Sequence, residues 1–449
     1  MRPPARQQPP LRHLMKSLAA IAAELEGYDP QALPAVTVSA FLEALTDPLR
    51  DTETVALVQA LDRVLAADIV SPISVPPHDN AAMDGYAVRG STLRANADTI
   101  LRVVGTVLAG QARWDAPIPD DACIRIMTGA VMPEGLDTVV PVELVQHEAA
   151  GDCADIEYIR VPAGAVRPGD HRRLCGEDLM AGQAALRAGQ RLGPAALGLI
   201  ASLGIAQVSV VRRPRVAYFS TGDEILTLGE PLRPGAVYDS NRYTVTALLR
   251  RLGVEVIDLG VVRDDPAALE DTFRRASAMA DAVITSGGVS MGEADHTRAM
   301  MRRLGEVVFW RIAMRPGRPM AVGRLQPPGR ESPTLLFGLP GNPVAVMVTF
   351  LAFVRPALLR LMGARDTAPL LMRARSAEPM RKKPGRTEYQ RGVVTRDAEG
   401  TLWVRTTGNQ GSGVLRSMVE ANALIVLAHG QGSVAPGDAV DVMLFDGVI

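Results

Sequence analysis

Cysteine is nearly absent from this 449-residue chain; its three thiols are Cys123, Cys153 and Cys175. No pair has CxxC spacing, and an odd count in so long a chain is not a disulfide framework. The six histidines (His13, His78, His147, His171, His296 and His429) include no HxxxH pair. A zinc or haem site built from side chains is therefore not expected, and a reduced, cytoplasmic protein is. Aromatic residues make up only 4% of the chain, which calls for an aliphatic core and speaks against RNA recognition by stacked rings. Charge of one sign is also missing. Lys plus Arg number 48 and Asp plus Glu 49, so neither nucleic acid nor an anionic membrane has a whole-chain electrostatic grip. Long hydrophobic runs are lacking: Val344 to Val354, broken by Thr349, is far short of the ~20 residues of a spanning helix and reads as a buried one. The basic start, with Arg2, Arg6, Arg12 and Lys16, leads into only seven apolar residues before Glu24, too few for a signal peptide. Neither GxGxxG nor GxxxxGK[ST] occurs in the α/β region described below, so ordinary NAD binding and P-loop ATP hydrolysis are not supported.

What is present is ordinary globular composition, 47% apolar and 22% charged, at a length that suits three or four domains. Residues 1–35 form a Pro- and Arg-rich extension, a tail followed by a short amphipathic helix. Apolar spacing predicts helices over Thr37–Leu45, capped by Thr37 or Ser39, and over Glu53–Leu65. From Pro72 to Ile159 short apolar runs alternate with Gly, Pro and Asp, an all-β texture. Residues 162–212 are mixed. From Arg215 strands alternate with 10–15-residue helices, which predicts a parallel, doubly wound α/β sheet. The last ~80 residues return to short strands and Gly turns. The expected fold is thus multidomain α/β plus β. Its parts are the extension 1–35, an elongated mixed domain over 36–75 and 160–212, a β-rich domain over 76–159, a doubly wound α/β domain over 213–362 and a C-terminal β domain over 368–449.

Open α/β sheets bind ligands beyond the carboxyl ends of their strands. Three Gly-bearing turns follow strands here: Ser220-Thr221-Gly222-Asp223-Glu224, Thr285-Ser286-Gly287-Gly288-Val289-Ser290 and Gly338-Leu339-Pro340-Gly341-Asn342-Pro343. Their backbone N–H groups suit phosphate or another oxyanion, although any strand–helix turn uses Gly for geometry. Glu224, Asp223, Asp264 and Asp295 supply hard oxygen ligands beside them, as Mg²⁺ requires. Asp265 before Pro266 reads instead as a helix cap, and Asp295 has that alternative too. Arg311, Arg315 and Arg318 share one loop and suit oxyanions, with a solvated loop as the plain alternative. In the β-rich part, Pro76–Ala87 carries Asp79, Asn80 and Asp84 with no apolar reason for them; Ile126–Ala130 and Gly176-Glu177-Asp178 are similar polar turns.

In order along the chain, DNAAMDGYA, RIMTGA, GEDL, FSTGDE, VYDSNR, RDDP, SGGVSMGEAD, RPGRP and GLPGNP resemble the molybdopterin molybdenumtransferase family, the MoeA type also found as the E domain of gephyrin. The resemblance runs from about residue 36 to the C-terminus. It implies homodimers of elongated four-domain subunits: a molybdopterin-binding α/β domain of three layers, flanked by the elongated domain, the β-rich domain and a C-terminal barrel-like domain. The active site would lie between the α/β domain of one subunit and the β-rich domain of the other. The implied reaction is Mg²⁺-dependent insertion of molybdate into the dithiolene of adenylated molybdopterin, with release of AMP. By motif, catalytic positions fall on Asp84, Thr128, Asp178, Glu224, Asp264 and Asp295, with Glu224, Asp264 and Asp295 at the metal. Substrate-binding positions fall on Ser286, Gly287, Gly288, Ser290, Arg311, Arg315, Arg318, Pro340, Gly341, Asn342 and Pro343. A contact with the adenylyltransferase that supplies the substrate is a further implied partner; no nucleic acid or membrane partner is. Ala81 stands where many members have Ser, and Arg311, Arg315 and Arg318 stand at basic positions that are commonly Lys. The rivals are the sister adenylyltransferase, which the β-rich flanks oppose, and a scaffold. Molybdate and tungstate are not separated by these residues.

Overall fold

The computed structural model describes residues 16–148, 157–288 and 296–446. Its centre is a six-stranded sheet. In chain order we label β1 Arg215–Thr221, α1 Ser240–Leu252, β2 Glu255–Val262, α2 Pro266–Met279, β3 Ala282–Ser286, α3 His296–Leu304, β4 Gly305–Arg311, β5 Pro319–Leu325, β6 Thr334–Leu339 and α4 Pro343–Leu361. The sheet order is β2-β1-β3-β6-β5-β4. The all-parallel expectation is corrected at one strand. β5, read from the sequence only as residues beyond a basic loop, runs antiparallel to both β4 and β6. Its inclusion follows from burial: Met320 to Leu325 are all buried, so the segment needs ladder partners for its backbone.

Helices start and stop where local chemistry dictates. Asp239 caps α1 by accepting from Arg242 N at 3.0 Å, and Gly253 ends it at φ 87°. Asp265 caps α2 through Ala268 N at 2.8 Å, with Pro266 as the first helical residue. α4 has the length and hydropathy of a spanning helix, but 83% of it is buried inside the molecule. Its Val344, Val346, Phe350, Leu351 and Val354 pack in the main core with Val216, Tyr218 and Phe337 of the sheet.

The expected helix over Glu53–Leu65 is not formed. Thr52–Ala56 is a strand paired antiparallel with Gln207–Val211, followed by a short 3-10 turn at Leu57–Gln59. Thr52, Thr54 and Val55 are β-branched and find a tertiary strand partner in Gln207–Val211, while Val58 in the turn stays 88% exposed. The helix expected over Thr37–Leu45 begins earlier, at Ala35 after Pro34; Ser39 Oγ donates to Ala35 O rather than capping. Leu18–Glu24 is the short N-terminal helix, and its Leu18 and Ile21 are buried.

The chain passes through Ile69–Val70, which pairs with Ala184–Leu186, and through Asn80–Ala81, which pairs with Arg172–Arg173. Between these pairings lies a second six-stranded sheet, built from strands between Gly85 and Val161. At the C-terminal end, Thr387–Arg396 pairs with both Leu402–Thr406 and Ala423–Leu427. Leu402–Thr406 and Ala423–Leu427 are joined on the other side through Met372–Ser376 and Ala439–Leu444. The ring closes into a five-stranded barrel with no free edges within it. Met314–Arg315 adds to this barrel, parallel to Thr387–Glu388.

Candidate active site

The strand order reverses between β1 and β3: the chain leaves β1 for β2 on one side, then returns to β3 on the other. That is the topological switch point, where the connections leave toward opposite sides and open sheets form a crevice beyond the carboxyl ends. The first two Gly turns meet there. A Cβ on Gly287 would lie 2.3 Å from Thr221 O, and one on Gly288 would lie 2.5 Å from Thr297 Cβ, with φ at 91° and 62°. Only glycine lets the β3 turn cross β1 and α3 this closely. Behind the turns Tyr218 OH lies 2.9 Å from Ser220 Oγ and 2.7 Å from Ser286 Oγ, a buried hydroxyl cluster. Burial pushes the Tyr218 phenol up, so it stays neutral.

The acids sit on the rim. Thr221 Oγ1 donates to Asp264 Oδ1 at 2.8 Å, and Asp264 N donates to Asp223 Oδ1 at 3.3 Å. Glu224 folds against its own turn, its Oε2 2.6 Å from where a Gly222 Cβ would be. The β6 turn is the third wall. Pro340 is buried, and Asn241 Nδ2 of α1 donates to Gly341 O at 2.7 Å. Asn342 Nδ2 donates to Ser412 Oγ of the barrel domain at 3.1 Å, and Pro343 opens α4. Ser290 and Asp295 lie outside the described residues. Among the described residues no three acidic, His or Cys side chains converge as a metal cage. The donor set still fits Mg²⁺, which takes one or two carboxylates and completes its octahedron with water and phosphate oxygens.

In the second sheet region the structure brings Asp84 and Thr128 together. Asp84 Oδ1 accepts from both Thr128 N and Thr128 Oγ1 at 2.7 Å, and these bonds hold its carboxyl below the usual range. Asp178 sits on the adjacent turn: Cys175 N donates to Asp79 Oδ1 at 2.8 Å, and Gly176 N donates to Pro76 O at 2.9 Å. The DNAAMDG, MTGA and GED motifs are therefore one surface. No hydrogen bond among the described residues ties it to the crevice between β1 and β3.

Of the basic loop, Arg311, Arg315 and Arg318 are all exposed, and Ile312 N donates to Arg318 O at 2.7 Å to close it. Arg315 faces a pocket of about 220 Å³ between this loop and the barrel. The barrel side contributes Arg381, Glu388, Gln390, Arg391 and Gln410, which the sequence reading missed. Arg391 is the telling one. It is 1% exposed and donates only to neutral oxygens: Ser417 Oγ at 3.0 Å, Gly411 O at 3.1 Å and Asn409 O at 3.4 Å. Burial, then the neighbouring Arg315, push its guanidinium down to about 10. Glu388 is engaged elsewhere, accepting from Arg386 Nε at 2.8 Å and Gln390 Nε2 at 3.1 Å. A buried cation left without a carboxylate is a place for a bound anion. The charged run Arg386-Thr387-Glu388-Tyr389-Gln390-Arg391 was the only signal in the sequence, and it looks like a solvated strand.

Comparison with known proteins identifies the family. Residues 34–204 match the MoeA N-terminal region (domain I and II), residues 217–360 a probable molybdopterin binding domain, and residues 373–445 the MoeA C-terminal region (domain IV). The chain is 41% identical over 412 residues to a molybdopterin molybdenumtransferase of Haemophilus influenzae, covering 91% of this chain and 97% of that one. The chain belongs to the MoeA family of molybdopterin molybdenumtransferases. Another member, from Nostoc sp., is 39% identical over 402 residues, covering 88% of this chain and 89% of that one. Among solved structures, a MoeA protein from Pyrococcus horikoshii OT3 superposes with a TM-score of 0.77 at 28% identity, over 92% of this chain and all of the other. As a MoeA-type transferase the chain acts in molybdenum cofactor biosynthesis, inserting molybdate into molybdopterin.

Proposed function

We propose that the substrate is adenylated molybdopterin, that Mg²⁺ assists, and that AMP leaves as molybdate enters the dithiolene. The observation that carries this reading is the presence of two anion-receptive places, one at the carboxyl edge of the α/β sheet and one between its basic loop and the barrel. The crevice between β1 and β3 offers Gly-turn amides with carboxylates on the rim, which suits a diphosphate and its cation. The arginine pocket offers Arg391, a buried cation whose side chain donates only to neutral oxygens while the pocket's Glu388 is paired with Arg386, which suits a small oxyanion such as molybdate.

Each residue then has a task. Gly287, Gly288 and Ser286 present the turn to a phosphate. Asp264, oriented by Thr221, and Glu224 would hold Mg²⁺, with Asp295 as a third candidate. The cation, when bound, neutralises charge on the diphosphate and polarises it. Pro340, Gly341, Asn342 and Pro343 shape the wall toward the pterin. Arg315 and Arg391 take the oxyanion, with Arg311 and Arg318 on the rim of the same loop. In this reading Asp84, Thr128 and Asp178 complete the site from a second copy of the chain in a homodimer, as the family resemblance implies. The domain division over 36–75 with 160–212, 76–159, 213–362 and 368–449 belongs to the same reading, as does transient contact with the adenylyltransferase that hands over substrate.

The test is to mix the protein with adenylated molybdopterin, Mg²⁺ and molybdate and follow AMP. Release should need both Mg²⁺ and molybdate and should stop on chelation with EDTA. Asp264→Asn should keep the fold and dimer but lower the release rate at least ~100-fold, as expected when charge stabilisation is lost. Full activity in that variant, or release unaffected by EDTA, would remove the metal-site assignment.

A further inference from the structure

Residues 16–33 lie ahead of the first family match, which starts at residue 34. They are nonetheless tied closely to the α/β domain. Leu18 N donates to Glu306 Oε1 at 2.8 Å, and Arg324 Nη1 donates to Lys16 O at 2.8 Å. The stretch from Tyr28 to Leu33 then lies along the end of β4. Arg311 N donates to Pro30 O at 2.8 Å, Leu33 N donates to Arg311 O at 3.2 Å, and Ala313 N donates to Leu33 O at 2.8 Å. Leu33 and Ile312 form a parallel bridge, and both are fully buried. Trp310 Nε1 donates to Tyr28 OH at 2.8 Å, and the Trp310 ring packs edge-on against Phe41 at 4.9 Å.

The next residues of the same segment are held by the barrel. Thr387 N donates to Ala313 O at 2.9 Å, and Met314–Arg315 pairs with Thr387–Glu388. The strand that receives it, Thr387–Arg396, carries Arg391. The N-terminal strap, the segment Trp310–Arg315 and the barrel strand therefore form one continuous ladder, with the two pocket arginines on its last two members. A segment anchored only by the barrel could shift Arg315 relative to Arg391; anchored by the strap at Arg311–Ala313 as well, it holds the distance between them before an anion arrives.

We infer that the strap Tyr28–Leu33 is a positioning element for the oxyanion pocket, acting through the backbone of Arg311–Ala313 on Arg315. Covering the edge of β4 is a second consequence of the same bonds. The inference rests on the reading of the arginine pocket as the molybdate site, and the test separates the two. In full-length protein, the binding of molybdate alone is measured by calorimetry, and the exchange of the Arg311 and Ala313 amides by hydrogen–deuterium methods, for the parent, Leu33→Gly, Tyr28→Phe and Arg391→Met. Leu33→Gly should speed exchange at both amides and weaken molybdate by about fivefold or more, the worth of one net hydrogen bond. Tyr28→Phe should move both readouts the same way, by less. If Leu33→Gly does not fold, Tyr28→Phe decides alone. Faster exchange with unchanged affinity, or unchanged exchange, overturns the positioning role. If the parent fails to bind molybdate, or Arg391→Met binds it as the parent does, the pocket reading has failed and the strap inference goes with it.

Discussion

Replacing Arg391 by Met keeps most of the side-chain volume and removes the charge. At 1% exposure, with its value pushed down to about 10, the guanidinium is costly to keep charged. Against an ordinary value of about 12.5, and at about 1.4 kcal/mol per tenfold, that cost is on the order of 3 kcal/mol. The three neutral acceptors offset part of it, and among the described residues no carboxylate offsets the rest. Two consequences separate in an assay. Without ligand, Arg391→Met should melt at or above the parent temperature, because an uncompensated buried charge is gone. With ligand, the stabilisation that molybdate confers should shrink, since one charge-assisted contact of about 1.5–3 kcal/mol corresponds to roughly 10- to 150-fold in Kd. Thermal denaturation against a molybdate series, with sodium chloride matched for ionic strength, reads both. A variant that binds molybdate within threefold of the parent, or that is strongly destabilised without ligand, would refute the view that this cation is held in reserve for an anion.

Asp281 should govern part of the acid stability. It is bound by Arg212 Nη1 and Nη2 at 2.7 and 2.9 Å, by Arg215 N at 2.8 Å and by Arg330 Nη2 at 3.1 Å. Burial pushes its carboxyl up, but the Arg212 and Arg215 bonds more than reverse this, so its value is lowered. Its stabilisation is therefore complete above the usual carboxylate range and is lost as pH falls through the lowered value. Asp281→Asn should cost about 3–5 kcal/mol at neutral pH and flatten the acid limb of a urea-denaturation pH profile; an unchanged limb would count against it. Gly288→Ala places a Cβ at φ 62° and 2.5 Å from Thr297 Cβ, so a loss of about 1–3 kcal/mol and of phosphate-dependent activity is expected in melting and AMP-release assays. Wild-type values for both would show that the turn can relax.

Elements set by local chemistry were legible without coordinates. Asp265-Pro266 fixed the start of α2 because a capping carboxylate and a proline at the first helical position act within one turn. Gly253 ended α1 for a similarly local reason. The carboxyl-end turns, and so the crevice, followed from the alternation of strands and helices. Thr52–Ala56 was misread because its apolar spacing fits a helix, and only its pairing with Gln207–Val211, about 150 residues away, decides for a strand.

The family can be read from the order of the motifs along the chain, and the Gly turns after the strands from short-range patterns. The direction of β5 against its neighbours, and the burial of Arg391 beside Arg315 with only neutral acceptors, emerge from the folded chain alone. It likewise set the N-terminal strap along the segment that leads to Arg315. These depend on which distant backbones find each other's unpaired N–H and C=O groups and on what surrounds a charge once it is out of water, and neither is written in the residues on either side.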